Sequence, residues 1–198
     1  MLEQRIQQQF IDSADLKYQA AQALSQPVAD AVQALLACMT GGGKVLACGL
    51  GASAAEAQRF AAFCVAGFER ERPELAALAL VSDGSQLTAS LGALEPAQPQ
   101  PFARQVRALG QAGDVLLVVT VSGNESALQA AVEAAHERDM TVVALTGRTG
   151  GRLAPLLRET DVWISVPHDR PARVHEVHAL VVHCLCDGMD AQLLGEQE

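Results

Sequence analysis

Two stretches of this 198-residue chain combine residue types that can hold an anion. The first is Cys48-Gly49-Leu50-Gly51-Ala52-Ser53-Ala54-Ala55-Glu56, directly after an apolar run. Its glycines allow a sharp turn, and N–H groups exposed at a helix start can point at an anion. Ser53 followed three residues later by Glu56 also reads as a capping box, which needs no ligand. The second stretch, Thr120-Val121-Ser122-Gly123-Asn124-Glu125-Ser126, sets hydroxyls and a glycine after another apolar run. It is a second nest of donors at a helix N-terminus, or equally an ordinary Ser/Asn cap. Glu125 counts against an anion there, because a carboxylate beside a phosphate costs on the order of a kcal/mol even in water. The ligand-binding candidates are Ser53, Thr120, Ser122, Gly123 and Asn124. A third group is imidazole: His175 and His183, eight apart near one helix face, with His178 one turn from His175. With Glu176 or a neighbouring subunit they could hold a metal; packed or partly exposed histidines are the other reading.

Positioning these groups requires a sheet. Val45-Leu46-Ala47-Cys48, Leu78-Ala79-Leu80-Val81, Val115 to Val119, Val142 to Leu145 and Val162 to Val166 are short, unalternating apolar runs. Such runs suit strands buried on both faces, and helical stretches separate most of them, so the chain reads as α/β with a mainly parallel sheet. Ligands of open α/β sheets sit at the carboxyl ends of strands, which is where both turns fall. Leu2, Ile6, Phe10 and Ala14 recur every four residues, predicting an amphipathic helix over the first two dozen residues. A second helix is predicted from Pro27 to Met39, ended by Gly41-Gly42-Gly43, and a last one from about Pro171 to Leu194. Three prolines between Gly92 and Pro101 predict an exposed loop.

Composition narrows the function. Hydrophobic residues make up 49% and charged residues 19%, enough to bury a full core and leave apolar surface for subunit contacts. Lys and Arg number 14 against 23 Asp and Glu, a net charge of −9, which argues against direct nucleic-acid binding. Cys38, Cys48, Cys64, Cys184 and Cys186 contain no CxxC pair and read as buried, reduced thiols. No leader and no run of about 18 uncharged apolar residues is visible, so a cytoplasmic chain without membrane contact is expected.

CGLGASAAEAQRFAA, TVSGNES, RQVRALGQAGDVLL, ALTGRTGG and RVHEVHALVVHCLCD together resemble the sugar isomerase (SIS) domain family, in its branch of phosphoheptose isomerases and DnaA initiator-associating (DiaA-like) proteins. The resemblance covers nearly the whole chain. It implies one domain over 1–198, with N-terminal helices for oligomerisation in 1–42 and an α/β core with the C-terminal helix in 43–198. It also implies a three-layer, doubly wound, flavodoxin-like sheet of five strands, a homotetramer, and a sugar-phosphate pocket at the two turns. Residue by residue, the isomerases place a His where this chain has Arg59 and a catalytic Glu where it has Phe63. Their Gln is His175 here, and their second catalytic group survives as His183. Leu50, Gly92-Ala93, Val121 and Glu125 also replace polar or hydroxyl groups of the family pattern. Neither Arg nor Phe can abstract a proton or ligate zinc.

The replacements lead to the expectation of a non-catalytic, DiaA-like homotetramer without cofactor, regulating replication initiation by binding a DnaA-like initiator, with weak sugar-phosphate binding retained. Leu193 and Leu194, beside the acidic Asp187, Asp190, Glu196 and Glu198, are the expected partner contact, with packing on a neighbouring subunit as the other reading. The alternative is an isomerase converting sedoheptulose 7-phosphate to D-glycero-D-manno-heptose 7-phosphate, with zinc as cofactor.

Overall fold

In a computed structural model, residues 1–81, 83–91 and 100–195 are described. Five strands form one parallel sheet: β1 (Val45–Gly49), β2 (Ala77–Ala79), β3 (Val115–Val119), β4 (Thr141–Gly147) and β5 (Val162–Val166). Their order is β2-β1-β3-β4-β5, the flavodoxin-like winding, so the chain reverses its direction of travel between β1 and β3. The expected second strand begins and ends earlier than its apolar run; as an edge strand it leaves Leu78 exposed and needs no continuous burial.

Period-two alternation divides each central strand between two layers. Val45, Ala47, Val115, Leu117, Val119, Val143 and Leu145 face one core with α1 (Leu2–Thr40), α2 (Ala52–Ala66) and α6 (Pro171–Leu194). Leu46, Cys48, Leu116, Val118, Val142 and Ala144 face the other, with α4 (Pro101–Leu109) and α5 (Ser126–Glu137). The short α3 (Gly84–Leu91) packs on α4. Asp114 joins the entry of the two central strands. Its carboxylate accepts from the Lys44 backbone N–H at 2.9 Å, Lys44 Nζ at 2.6 Å and the Gln111 N–H at 2.9 Å.

The two expected N-terminal helices are one 39-residue helix that runs through Pro27. Proline removes the bond to the Ala23 carbonyl, but Ala23 lies on the exposed side, while Leu24, Ala31, Val32 and Leu35 bury the other face. Packing thus outweighs the local penalty. The Leu2, Ile6 and Phe10 stripe remains exposed within the single chain. Near it, Arg173 donates to the Gln9 carbonyl and Oε1 and to Glu176 Oε2, and Ser13 Oγ donates to the same Glu176 oxygen. Four cysteines are buried as expected; Cys184 is exposed on α6. Of the loop predicted from Gly92 to Pro101, Pro101 is instead the first residue of α4. Residues 92–99, including Gly92-Ala93, lie outside the described residues, as do Glu196 and Glu198.

The segment after α2 is strapped to α6 by a buried ion pair. Arg72 Nε lies 2.5 Å from Asp190 Oδ1, and the same guanidinium donates to the carbonyls of Phe63 and Cys64, closing the end of α2. Removing one partner strands a buried charge. Arg72→Ala is therefore expected to cost about 3–5 kcal/mol in urea unfolding. Arg72→Met combined with Asp190→Leu should recover most of that loss. A single-variant loss below about 1 kcal/mol would mean that the pair does not hold the strap.

Candidate functional site

The parallel register aligns Gly49 with Val119, so the turns leaving β1 and β3 emerge side by side at the point where the winding reverses. In the first turn a side chain at Gly49 would meet the Ser53 carbonyl oxygen at 2.5 Å, so only glycine lets α2 start this close to the strand. The predicted capping box does not form. The N-cap is Gly51, without a side-chain cap, and Ser53 lies buried inside the first helical turn. Glu56 is also buried, 7% exposed, and its Oε2 accepts no hydrogen bond but lies 3.2 Å from Arg59 Nη1. Sequence reasoning treated Glu56 only as a cap; its i,i+3 spacing to Arg59 was the available signal for an ion pair. Leu50 is exposed at the mouth of the turn and, with Gly51, Ala54, Val81, Leu87 and Phe102, lines an apolar pocket of about 290 Å³.

The second turn is tightly cross-linked. Gly123 has φ 68°, and a Cβ there would come within 1.9 Å of the Gly150 oxygen, so the turn rests on the Gly147–Gly151 segment. The Gly123 and Asn124 N–H groups donate to Thr120 Oγ1 and Ser122 Oγ at 2.9 and 3.0 Å. Asn124 Oδ1 accepts from the Arg152 N–H at 3.2 Å. Thr120 and Ser122 hydroxyls both donate to the Glu125 carboxylate. The turn thus brings Thr120, Ser122, Gly123 and Asn124 together, with Glu125 among them.

Between α2 and α6, the Phe63 and Phe68 rings stand 5.8 and 5.5 Å from the half-buried His183 ring, and 4.9 Å from each other. His175 leaves its Nδ1 buried without a hydrogen bond, 6.3 Å ring to ring from His178. His178 Nε2 faces the Thr146 carbonyl at 3.2 Å.

The zinc that the isomerase resemblance implies does not fit these residues. Two of its expected donor positions carry Arg59 and Phe63, Glu176 is engaged by Arg173 and Ser13, and no group of three His, Cys, Asp or Glu among the described residues could hold a metal. Leu193 and Leu194 are 40% and 39% exposed at the end of α6, where Arg70 Nη1 donates to the Gly195 carbonyl. No helix among the described residues is long and apolar enough to cross a membrane.

Comparison with known proteins finds the SIS domain and relatives named phosphoheptose isomerase. The SIS domain profile matches residues 9–147. A phosphoheptose isomerase of Methylibium petroleiphilum is 62% identical over 198 residues, covering all of this chain and 98% of that protein. One from Azoarcus sp. is 52% identical over 194 residues, 98% of each. The solved phosphoheptose isomerase GmhA from Neisseria gonorrhoeae superposes with a TM-score of 0.90 at 46% identity, covering 96% of this chain and all of that one.

These likenesses overturn the expectation of a non-catalytic, DiaA-like regulator of replication initiation: the full-length relatives carry the name of an enzyme. A DnaA-like partner loses its support with it. Arg59 and Phe63 are two positions on one face of α2, whereas the likeness to these proteins extends over the whole chain.

Burial holds the His178 imidazole down from 6.5 to about 4. The folded chain keeps this ring neutral, while an unfolded chain starts to protonate it below pH 6.5. The resulting stabilisation is complete above that pH and is lost as pH falls through 4, at most about 3 kcal/mol. Urea midpoints of the parent and of His178→Gln, compared from pH 7.5 to 4, should show a shallower decline in the variant. Equal declines would assign the acid sensitivity to other groups.

Proposed function

The chain belongs to the SIS-domain family, and from that premise we propose that it is a phosphoheptose isomerase, interconverting sedoheptulose 7-phosphate and D-glycero-D-manno-heptose 7-phosphate. The observation that carries this reading is 62% identity over the whole chain to a protein of that name. The paired turns at β1 and β3 support it, because they offer a sugar phosphate two helix starts and several hydroxyls in one cleft. The phosphate would engage the second turn through Thr120, Ser122 and Asn124, with Ser53 behind the first.

Aldose–ketose isomerisation moves a proton between neighbouring carbons and needs a positioned base and acid. Phe63 has no such capacity, and a guanidinium such as that of Arg59 offers donors but no acceptor for a proton. The α2–α6 seam offers the His183 imidazole and, toward the first turn, the Glu56 carboxylate, whose unbonded Oε2 lies 3.2 Å from Arg59 Nη1. We assign proton transfer to His183 and Glu56. The Phe63 and Phe68 rings keep the His183 imidazole in a partly apolar setting.

The protein acts as a homotetramer in this reading. An apolar groove of about 470 Å³ between α1 and α6, lined by Ala20, Leu24, Val28, Val32, Leu180 and Gly188, supports packing against a second copy, as does the exposed Leu2, Ile6 and Phe10 stripe. Leu193 and Leu194 add exposed apolar side chains at the end of α6, and free cysteines suit a cytoplasmic setting.

The assay is interconversion of the two heptose phosphates, with and without added zinc. Turnover on the order of 1 s⁻¹ is expected. His183→Asn should lower kcat by about 100-fold or more without moving the thermal midpoint. No turnover under either condition would refute the reading; unchanged kcat in the variant would remove His183 from it.

A further inference from the structure

The second turn carries its own anion. Thr120 Oγ1 donates to Glu125 Oε2 at 2.7 Å, and Ser122 Oγ donates to Glu125 Oε1 at 2.9 Å, so each carboxylate oxygen takes one hydroxyl. The same two hydroxyls accept the Gly123 and Asn124 N–H groups from behind. A hydroxyl has a single proton, and one that accepts from the backbone on one side gives its proton away on the other. The backbone therefore aims both protons at a point just outside the turn, and Glu125 occupies that point. It is half-buried and sits immediately before α5, where the helix field favours negative charge. Among the described residues no Lys, Arg or His is paired with it, so these neutral hydroxyls are its partners.

We propose that the Glu125 carboxylate is a built-in competitor for the substrate's phosphate, filling the donor set of the second turn until a phosphorylated sugar displaces it. This inference rests on the phosphosugar reading above. Two anions cannot share the same two donors, and a phosphate beside an undisplaced carboxylate is repelled in a half-buried site where water screens poorly. Displacement requires Glu125 to swing toward solvent, with loss of both bonds. A sugar phosphate offsets that loss with contacts from its hydroxyls along the cleft. Inorganic phosphate brings no such contacts, so with Glu125 in place it binds too weakly to fill the turn, while a phosphorylated sugar still does.

The test is isothermal titration of inorganic phosphate and of sedoheptulose 7-phosphate into the parent, Glu125→Ser and Glu125→Gln. Glu125→Ser removes the charge and the bulk; Glu125→Gln keeps the shape and removes the charge, and it carries the test if the serine variant fails to fold. At least tenfold tighter binding of both probes by Glu125→Ser is expected, about 1.4 kcal/mol, with Glu125→Gln between it and the parent. Because both probes must displace the same carboxylate, the relative gain should be similar for the two. If the parent binds the sugar phosphate and neither variant binds either probe more tightly, the competitor role is wrong and the isomerase reading stands. Binding of neither probe by any of the three proteins overturns both.

Discussion

The parallel pairing of β1 with β3 is the constraint on which the cleft depends. At one end Asp114 gathers the Lys44 N–H, the Lys44 ammonium and the Gln111 N–H, fixing where the two strands begin. Five residue pairs later the register delivers Gly49 opposite Val119. The strands cannot slip by one residue without moving Val45, Ala47, Val115 and Leu117 out of one core and Leu46 and Leu116 out of the other. Core packing on both faces therefore sets the spacing of the turns, and the turns only need residues that can bend and donate.

The α2–α6 seam is built differently, from side chains whose chemistry varies within a fixed frame. The Arg72–Asp190 pair closes the end of α2 and fastens it to α6, which keeps Phe63 against His183. Farther up the helix Arg59 turns back to Glu56 along the same face. Relatives at 62% and 52% identity match along the full length, and in this chain Leu50, Arg59, Phe63 and Glu125 stand at or near the cleft. They form an apolar lip, an internal ion pair, two aromatic rings against an imidazole and a carboxylate seated among the turn's hydroxyls.

Much of this architecture was legible in the residues because the local signals agreed with the tertiary demand. Unbroken apolar runs marked β1, β3 and β4, Gly41-Gly42-Gly43 stopped α1 at Thr40, and Pro171 opened a helix running to Leu194. Misreadings arose where packing overrode local preference. Pro27 fails to break α1 because burial on its other face outweighs one lost bond, and Ser53 is pulled into the first turn of α2 instead of capping it. The Glu56–Arg59 pair and the seating of Glu125 on both hydroxyls depend on side-chain directions that spacing alone does not give. Function follows the same rule: Arg59 and Phe63 are two positions on α2, whereas the likeness to the isomerases extends through the whole chain.

The central claim is that this cleft transfers a proton at the carbon next to a sugar-phosphate carbonyl. The most direct measurement is proton NMR of sedoheptulose 7-phosphate incubated with the protein in deuterium oxide. The account predicts loss of the proton signal at the carbon adjacent to the carbonyl, faster than in a protein-free control and slowed by His183→Asn. A ketose phosphate that keeps that proton as long as the control does would contradict it.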